Sequence, residues 1–485
     1  MSGLAALLDE GRLVPLHRPV PRALVHTDTW ARATGLLAAG ELTLLSIWGD
    51  PGQVHMALLD TEDHGIAVLT VQCRDGGYPS VGASHPPAIR LERAIRDLFG
   101  FEPVGLPDAR AWLDHRDGTD YAFLPVDGEG LHQIPVGPVH AGIIEPGHFR
   151  FTCDGETVVR LEQRLGYVHK GVDALFCGQK VEQAARLACR VSGDSAVALG
   201  IGFARAVETA LDVTPPPRAI WLRALMAEME RVANHLGDFG AICNDASFTV
   251  ILAHCAVLRE RVLRAADAAF GHRLMMDKIV PGGVAVDLDA QNVAAIVGLV
   301  DEVREKFAAL TKLYDKSASL QDRTVTTGIL KPELARQFGA GGYVGRASGR
   351  AFDARKHPGY PPYDVLTFEI PVLTEGDVNA RVWIRAREVS QSLGMIEQIL
   401  RGMPDGETLA HVPAGSGEAL TLTEAFRGDL LIWLRVNNGY VDRCHIRDAS
   451  WFQWPLLEAV IEGNIVADFP LCNKSFNCSY SGHDL

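Results

Sequence analysis

The chain has 485 residues, too many for one comfortable hydrophobic core, so its length predicts two or three domains. Hydrophobic residues make up 47% and charged residues 22%, ordinary globular usage that excludes disordered, collagen-like and low-complexity classes. Asp and Glu outnumber Lys and Arg by 60 to 46, and the net charge of −14 argues against a surface built for phosphate backbones, so nucleic acid is not an expected partner.

The N-terminus, MSGLAALLDEGR, has no basic start and no long apolar run with a cleavage site, which predicts a cytoplasmic chain. Residues 1–117 read as a small α/β domain. LTLLSIWG (42–49), HMALLD (55–60) and GIAVLTVQC (65–73) are short runs rich in Val, Ile and Leu, bounded by Gly and Asp as sheet strands are. PPAIRLERAIRDLFG (86–100) places apolar residues at helical spacing and closes on Gly100. Residues 118–136, rich in Gly, Asp and Pro, read as a linker.

The strand-like runs HFRFTC (148–153) and ETVVRLEQRLG (156–166) open a larger second domain over 137–485. Long helical windows follow: Ala219 to Leu236, Asp245 to Phe270, and Asp377 to Arg401 after a PGG break at 281–283. DLLIWLRV (429–436) and GYVDRCHIRD (439–448) read as strands before a last helix and an irregular tail. The whole is an α+β chain: a helical bundle core with peripheral strands behind a small α/β domain. The longest uncharged apolar run, Phe248 to Leu258, holds His254 and stops at Arg259, too short to cross a bilayer. Nine scattered cysteines, none in a CxxC pair, suit reduced thiols.

Cofactor signatures are thin. GAGGYVG (339–345) lacks GxGxxG spacing and follows no strand, so it reads as a Gly-rich turn; P-loop, HExxH and GxSxG motifs do not occur. His235, His254, His272 and His445 read as hydrogen-bonded core or surface residues rather than ligands. Two segments resist a bland explanation. GPVHAGIIEPGHFRF (137–151) sets Glu145, His148 and Arg150 in a turn entering a strand, where a buried carboxylate would serve as a proton relay and a loop salt bridge is the plainer alternative. LCNKSFNCSYSGHDL (471–485) concentrates Cys, Asn, Ser and His in the last fifteen residues, unlike a loose C-terminus.

Read together, GPVH (137–140), EPGHFRF (145–151), GETVVRLEQRLGYVHKGVDAL (155–175), MAEMERVANHLGDFG (226–240), PGGVAVDL (281–288), GRASGRAFDARKHPGY (345–360) and GDVNARVWIRAREVSQSL (376–393) resemble the large subunit of group 4 nickel-iron hydrogenases. They resemble equally its relative, the 49-kilodalton subunit of respiratory complex I. LERAIRDLFGFEPVGLPDARAWLDH (91–115) is similar to the end of the complex I 30-kilodalton subunit, as in the fused large subunits of hydrogenase-4 and formate hydrogenlyase.

The resemblance implies a metal-binding pair of motifs, R-x-C-x-x-C and D-P-C-x-x-C, whose four thiolates hold nickel and iron. In register, the first falls on RVSGDS (190–195) and the second on NCSYSG (477–482). Ser192, Ser195, Ser479 and Gly482 stand at the cysteine positions. Hydroxyls are poor ligands for soft metals and glycine offers none, so a normal nickel-iron centre is not expected. Cys189, Cys472, Cys478 and His483 lie nearby in sequence, at spacings that match no standard ligand set.

For the quinone-side relatives, the resemblance places a head-group His and Tyr at registers occupied here by Gly147 and Gly193, with His148 one residue away and Tyr480 in the other motif. A quinone site thus rests on analogy of fold. Glu145 takes the position of the hydrogenases' proton-relay glutamate. Asp194, with Ser192, Ser195, Ser479 and Asn477, would line a polar remnant of the metal cavity.

The resemblance implies a large subunit of a membrane-associated oxidoreductase complex coupling electron transfer to ion translocation. An iron-sulfur small subunit and antiporter-like membrane subunits are the expected partners, on the inner face of the membrane. NAD, which has no binding motif in this chain, would act through other subunits. A non-catalytic coupling subunit and an active hydrogenase with ligands elsewhere are the alternatives.

Overall fold

A computed structural model describes residues 3–73, 75–113, 121–140 and 144–485. The N-terminal strands form a five-stranded sheet in the order Arg12–Leu13, Arg22–Leu24, Ile66–Gln72, Gln53–Asp60, Leu42–Asp50. Leu42–Asp50 and Gln53–Asp60 pair antiparallel across a two-residue turn whose Gly52 takes φ +79°. Every residue of Leu42–Asp50 is buried, because both faces of this sheet are covered. Helices Thr27–Ala39 and Ile89–Phe99 pack on it, the latter closed by Gly100 at φ 68° as its sequence predicts.

The other face meets the second half of the chain. Gly417–Ala425, Gly428–Asn437 and Tyr440–Arg447 form an antiparallel sheet, and Leu45, Trp48, Leu59 and Val68 share one apolar cluster with Leu420, Leu422, Leu431 and Trp433. The short strand His17–Arg18 leaves the first sheet and adds in parallel to Gly417–Ala425. Buried ion pairs stitch the seam: Arg22 to Glu418 at 2.8 Å and Arg435 to Asp50 at 2.7 Å. The two predicted domains are therefore one packed body at this face.

The 118–136 region departs from its reading as a linker. Residues 118–120 lie outside the described residues, Leu124 N donates to Glu162 at 2.9 Å, and Leu131–Val136 pairs antiparallel with His148–Asp154 as the edge of a three-stranded sheet. Its sequence, LHQIPV, hides this because an edge strand with mostly exposed residues needs no hydrophobic alternation, and Pro135 is tolerated at an edge.

The helical core centres on Pro217–Asp245, 29 residues long and buried on nearly all sides. Thr249–Phe270 and Val378–Gly402 pack against it, and Ala290–Lys316 packs on both of these. Ala196–Leu211 lies across the C-terminal sheet and is almost wholly buried. No single described helix is long and apolar enough to cross a membrane.

The Gly-rich segment 339–345 is a close-approach device, not a phosphate loop. Gly342 takes φ +59°, and a Cβ there would lie 2.0 Å from the Arg427 carbonyl oxygen. That contact seats the short helix Gly342–Arg346 against the hairpin turn carrying Arg427. The tail is docked as well: after Phe469–Phe476, Asn477 turns the chain at φ 45°, and His483 and Asp484 are fully buried.

Candidate functional site: an ion pair between two serine-bearing segments

The segment holding Ser192, Gly193, Asp194 and Ser195 caps the start of Ala196–Leu211 and meets the C-terminal tail. Ser192 Oγ lies 3.3 Å from Ser479 Oγ and donates to Asp194 Oδ1 at 2.7 Å. Gly482 N donates to Ser479 Oγ at 2.9 Å. Asp194 and Ser195 come no closer than 3.5 Å through their side chains. The two segments thus converge although 287 residues separate Ser192 from Ser479.

Their centre is Arg427, on the turn between Gly417–Ala425 and Gly428–Asn437. Its Nη1 and Nη2 donate to the two Asp194 oxygens at 2.8 and 2.5 Å, a bidentate fork. Its Nε donates to the Asn477 carbonyl at 2.5 Å, so one guanidinium holds both segments. Burial by itself pushes the Asp194 carboxyl up, but Arg427 and the Ser192 hydroxyl outweigh it and hold the group below the usual carboxylate value. Arg427 is raised, since Asp194 overcomes its own burial.

The surroundings fix this geometry. Asn234 donates to the Asp194 carbonyl at 2.7 Å. Asn477 donates to Asp238 at 2.9 Å, and Asp238 accepts from Arg385 at 3.1 Å. Tyr343 donates to the Phe476 carbonyl at 2.7 Å, and Trp454 to the Ser479 carbonyl at 3.1 Å. A cavity of about 20 Å³ adjoins Gly193 and Asp194, room for about one water.

Glu230 lines the same cavity; it lies within the family-like segment 226–240, which does not single it out as a site residue. Its carboxylate accepts from Val197 N at 2.7 Å and Ala198 N at 3.1 Å, capping the helix Ala196–Leu211. Burial nevertheless pushes it up to about 8, with the Asp194 charge adding to the effect. A carboxyl with a raised folded pKa binds its proton more tightly in the native state, so it costs stability as pH rises from the ordinary 4.5 towards 8. Glu230→Gln is expected to flatten that slope, leaving the variant relatively more stable at pH 9 than at pH 5 by on the order of 3 kcal/mol. Urea midpoints of both proteins across this pH range check it; parallel pH profiles would refute it.

The structure does not fit these residues to a nickel-iron group. The donors are hydroxyls, and a Cβ at Gly482 would sit 2.9 Å from Ser479 Oγ and 3.0 Å from the Asp448 carboxyl carbon. Nor are the nearby cysteines gathered. Cys189 packs against Gly200, Cys472 against Gly328 and Cys478 against Gln453, with burial pushing the first two thiols up to about 11 and 12. His483 stacks on Trp451 and bonds Asp484 at 2.8 Å. Among the described residues no group of three or more His, Cys, Asp or Glu is placed to hold a metal ion.

The opening loop meets the second serine segment at Tyr480, the neighbour of Ser479, beside the ion pair rather than in it. Glu145 is exposed, although its motif position predicts a buried carboxylate. His148 is half-buried beside Phe123 at 4.7 Å, and burial lowers its pKa. Tyr480, whose phenol burial pushes well up, packs its ring where a Cβ on Gly147 would fall, 2.9 Å away. Arg427 carried no local signal, since it falls in no quoted motif and stands 233 residues from its carboxylate, and Glu230 lies within the segment 226–240 without anything there singling it out.

A long helical core flanked by small sheets, with two sequence-distant segments joined through Arg427, defines the chain. The family described as the respiratory-chain NADH dehydrogenase 49 Kd subunit matches residues 245–414. Formate hydrogenlyase subunit 5 of Escherichia coli (strain K12) is 32% identical over 84% of this chain and 77% of that protein. An NADH-quinone oxidoreductase subunit of Syntrophobacter fumaroxidans is 32% identical over 71% of this chain and 94% of its own. A component of the membrane-bound sulfane sulfur reductase, an archaeal respiratory membrane complex, superposes with TM-score 0.70 at 27% identity, covering 75% of this chain and 100% of the other. The chain belongs to this family of complex I 49-kilodalton and membrane-hydrogenase large subunits.

Proposed function

We propose that the chain is the large subunit of a membrane-associated, complex I-like oxidoreductase assembly in which it holds no nickel-iron centre. The observation that carries this is the Asp194–Arg427 ion pair standing between Ser192 and Ser479, with hydroxyls where thiolates would be needed. The relatives carry out different chemistry on one fold: formate hydrogenlyase, NADH-quinone oxidoreductase and sulfane sulfur reductase by name. Fold therefore supports the type of assembly, and the site must supply the rest.

In this reading an iron-sulfur small subunit delivers electrons, antiporter-like membrane subunits move ions, and the chain sits peripherally on the inner face of the membrane through them. Quinone is the acceptor class that the NADH-quinone oxidoreductase relative suggests, and any link to NADH runs through other subunits. Residues 1–117 act as an assembly module, which the longer match to formate hydrogenlyase subunit 5 supports. Glu230 rather than the exposed Glu145 is the carboxyl we assign to hold and release a proton beside Asp194, because it is buried, lines the same small cavity and is pushed up to about 8 by burial.

A coupling role without redox turnover is the second reading, favoured by the filled site, where about 20 Å³ leaves no space for an organic substrate. Purification through a tag on this chain, followed by mass spectrometry and metal analysis, tests both. Iron-sulfur and antiporter-like subunits with nickel well below one equivalent are expected. Stoichiometric nickel would overturn the reading. Reduction of a quinone by the same preparation, lost in Glu230→Gln, would separate redox catalysis from pure coupling.

A further inference from the structure

Away from the serine segments, a cavity of about 310 Å³ opens between the helix Ala196–Leu211, the start of Pro217–Asp245 and the segment holding Tyr360 to Tyr363, within the size range of small-molecule pockets. Its walls are mostly apolar, with Ile201, Val213, Ile220 and Pro362 among them. Three charged groups line it: Arg205, Arg223 and Glu208. Arg223 and Glu208 neutralise each other through bonds of 2.9 and 2.5 Å, and Glu208 also accepts from Gly282 N at 2.8 Å. The lining is thus left with one positive charge, on Arg205.

Arg205 is held but not paired. Its Nη1 donates to the Leu422 carbonyl at 2.7 Å and to Thr423 Oγ1 at 3.0 Å, and its guanidinium lies over the Tyr360 ring at 4.1 Å. Among the described residues no carboxylate comes within ion-pair distance, and Nε and Nη2 make no hydrogen bond to protein. Burial lowers its pKa, with Arg223 adding to the effect and Tyr360 and Glu208 offsetting part of it. A rigid guanidinium, oriented by stacking and by one fixed edge, presents its other edge as a fork suited to a carboxylate.

We infer that this cavity is a binding site for a small monocarboxylate with an apolar body, its carboxylate on the free edge of Arg205 and its body against Ile220 and Pro362. The charge count selects one negative charge, and the apolar walls select against strongly hydrated dianions. The site is separate from the Asp194 cluster and does not depend on the function proposed above.

The test uses the purified full-length chain and 3-phenylpropionate, titrated by calorimetry, with 3-phenylpropanol as the uncharged control. Saturable one-to-one binding of the acid is expected, at least tenfold weaker for the alcohol and for Arg205→Gln. Because Arg205 also anchors the strand Gly417–Ala425, a second variant, Ile220→Trp, fills the cavity from its apolar side and leaves the guanidinium intact; it too is expected to lose binding. Absence of saturable binding by the unaltered chain, equal binding of acid and alcohol, or unchanged affinity in a folded Ile220→Trp protein would overturn the inference. So would loss of acid binding in the assembled complex, since a partner's side chain would then be the occupant.

Discussion

Replacing Arg346 with methionine is expected to destroy the folded state. Arg346 is fully buried and bonds three carboxylates: Glu388 at 2.7 Å, Glu424 at 2.9 Å and Asp353 at 3.4 Å. Arg355 continues the network to Asp353 at 2.7 Å and Glu228 at 3.0 Å, Arg231 meets Glu228 at 3.4 Å, and His235 meets Glu388 at 2.7 Å. Four carboxylates, Glu228, Asp353, Glu388 and Glu424, face three guanidiniums, Arg231, Arg346 and Arg355. The surplus negative charge falls on Glu424, which burial and the Asp353 charge push up to about 7, while Arg346 helps hold Glu388 far below its usual value.

Methionine would leave four carboxylates against two cations, with Glu388 and Glu424 stripped of their main partner. Breaking a buried pair typically costs about 3–5 kcal/mol, and here one cation serves three anions against a total stability of about 5–15 kcal/mol. Soluble yield and urea unfolding measure the effect; a midpoint within error of the unaltered protein would show that the network does not hold the core. Arg346→Lys should fall between the two, because one ammonium keeps the charge but cannot span the same fork. The consequence reaches the site, since Glu424 stands three residues before Arg427, at the end of the strand that leads into its turn. Arg231 binds the Glu424 and Ala425 carbonyls at 2.9 and 3.1 Å, so the network also aims the arginine that closes the serine segments.

Much of this scaffold was legible because burial imposes period. LTLLSIWG, GIAVLTVQC and DLLIWLRV declare themselves strands through runs of residues that fit a sheet covered on both faces, and helix ends such as Gly100 carry their own backbone signature. The convergence of Ser192 with Ser479 followed from motif register, which is a statement about family rather than local physics. The electrostatics were not legible. Nothing in AFRGDL marks Arg427 as the partner of Asp194, because an ion pair closed by tertiary folding leaves no periodic trace. Glu145 misled for the opposite reason: its motif position is suggestive, but burial is decided by what packs on the loop, and the structure leaves it exposed. Leu131–Val136 escaped notice because a partly exposed edge strand has no apolar face to betray it.

The second large effect is expected at the Asp194–Arg427 pair, as a coupling between the two residues rather than a sum of separate losses. Arg427→Gln removes the group that, among the described residues, bonds both Asp194 and the Asn477 carbonyl, and leaves the carboxylate without its cation. A cost of about 3 kcal/mol follows from buried-pair precedent. Asp194 retains 34% side-chain exposure, so Asp194→Asn should cost less, about 1–2 kcal/mol, with water taking part of the load. The double variant should cost less than the two together by on the order of 1–2 kcal/mol, since neither buried charge is then left alone. Additive losses would mean that the pair does not act as a unit. Amide hydrogen exchange supplies the structural readout. If the pair takes over the cross-linking that metal–thiolate bonds would otherwise provide, protection should fall at 477–485 and at 192–196 together in Arg427→Gln. The five-stranded sheet should keep its protection, because among the described residues the hydrogen bonds of the Arg427 guanidinium go to Asp194, Ser195 and Asn477 and not to its strands. Loss confined to one segment would assign the tail's docking to Tyr343 and Trp454 instead, and would remove the reason for regarding the ion pair as successor to a metal bridge.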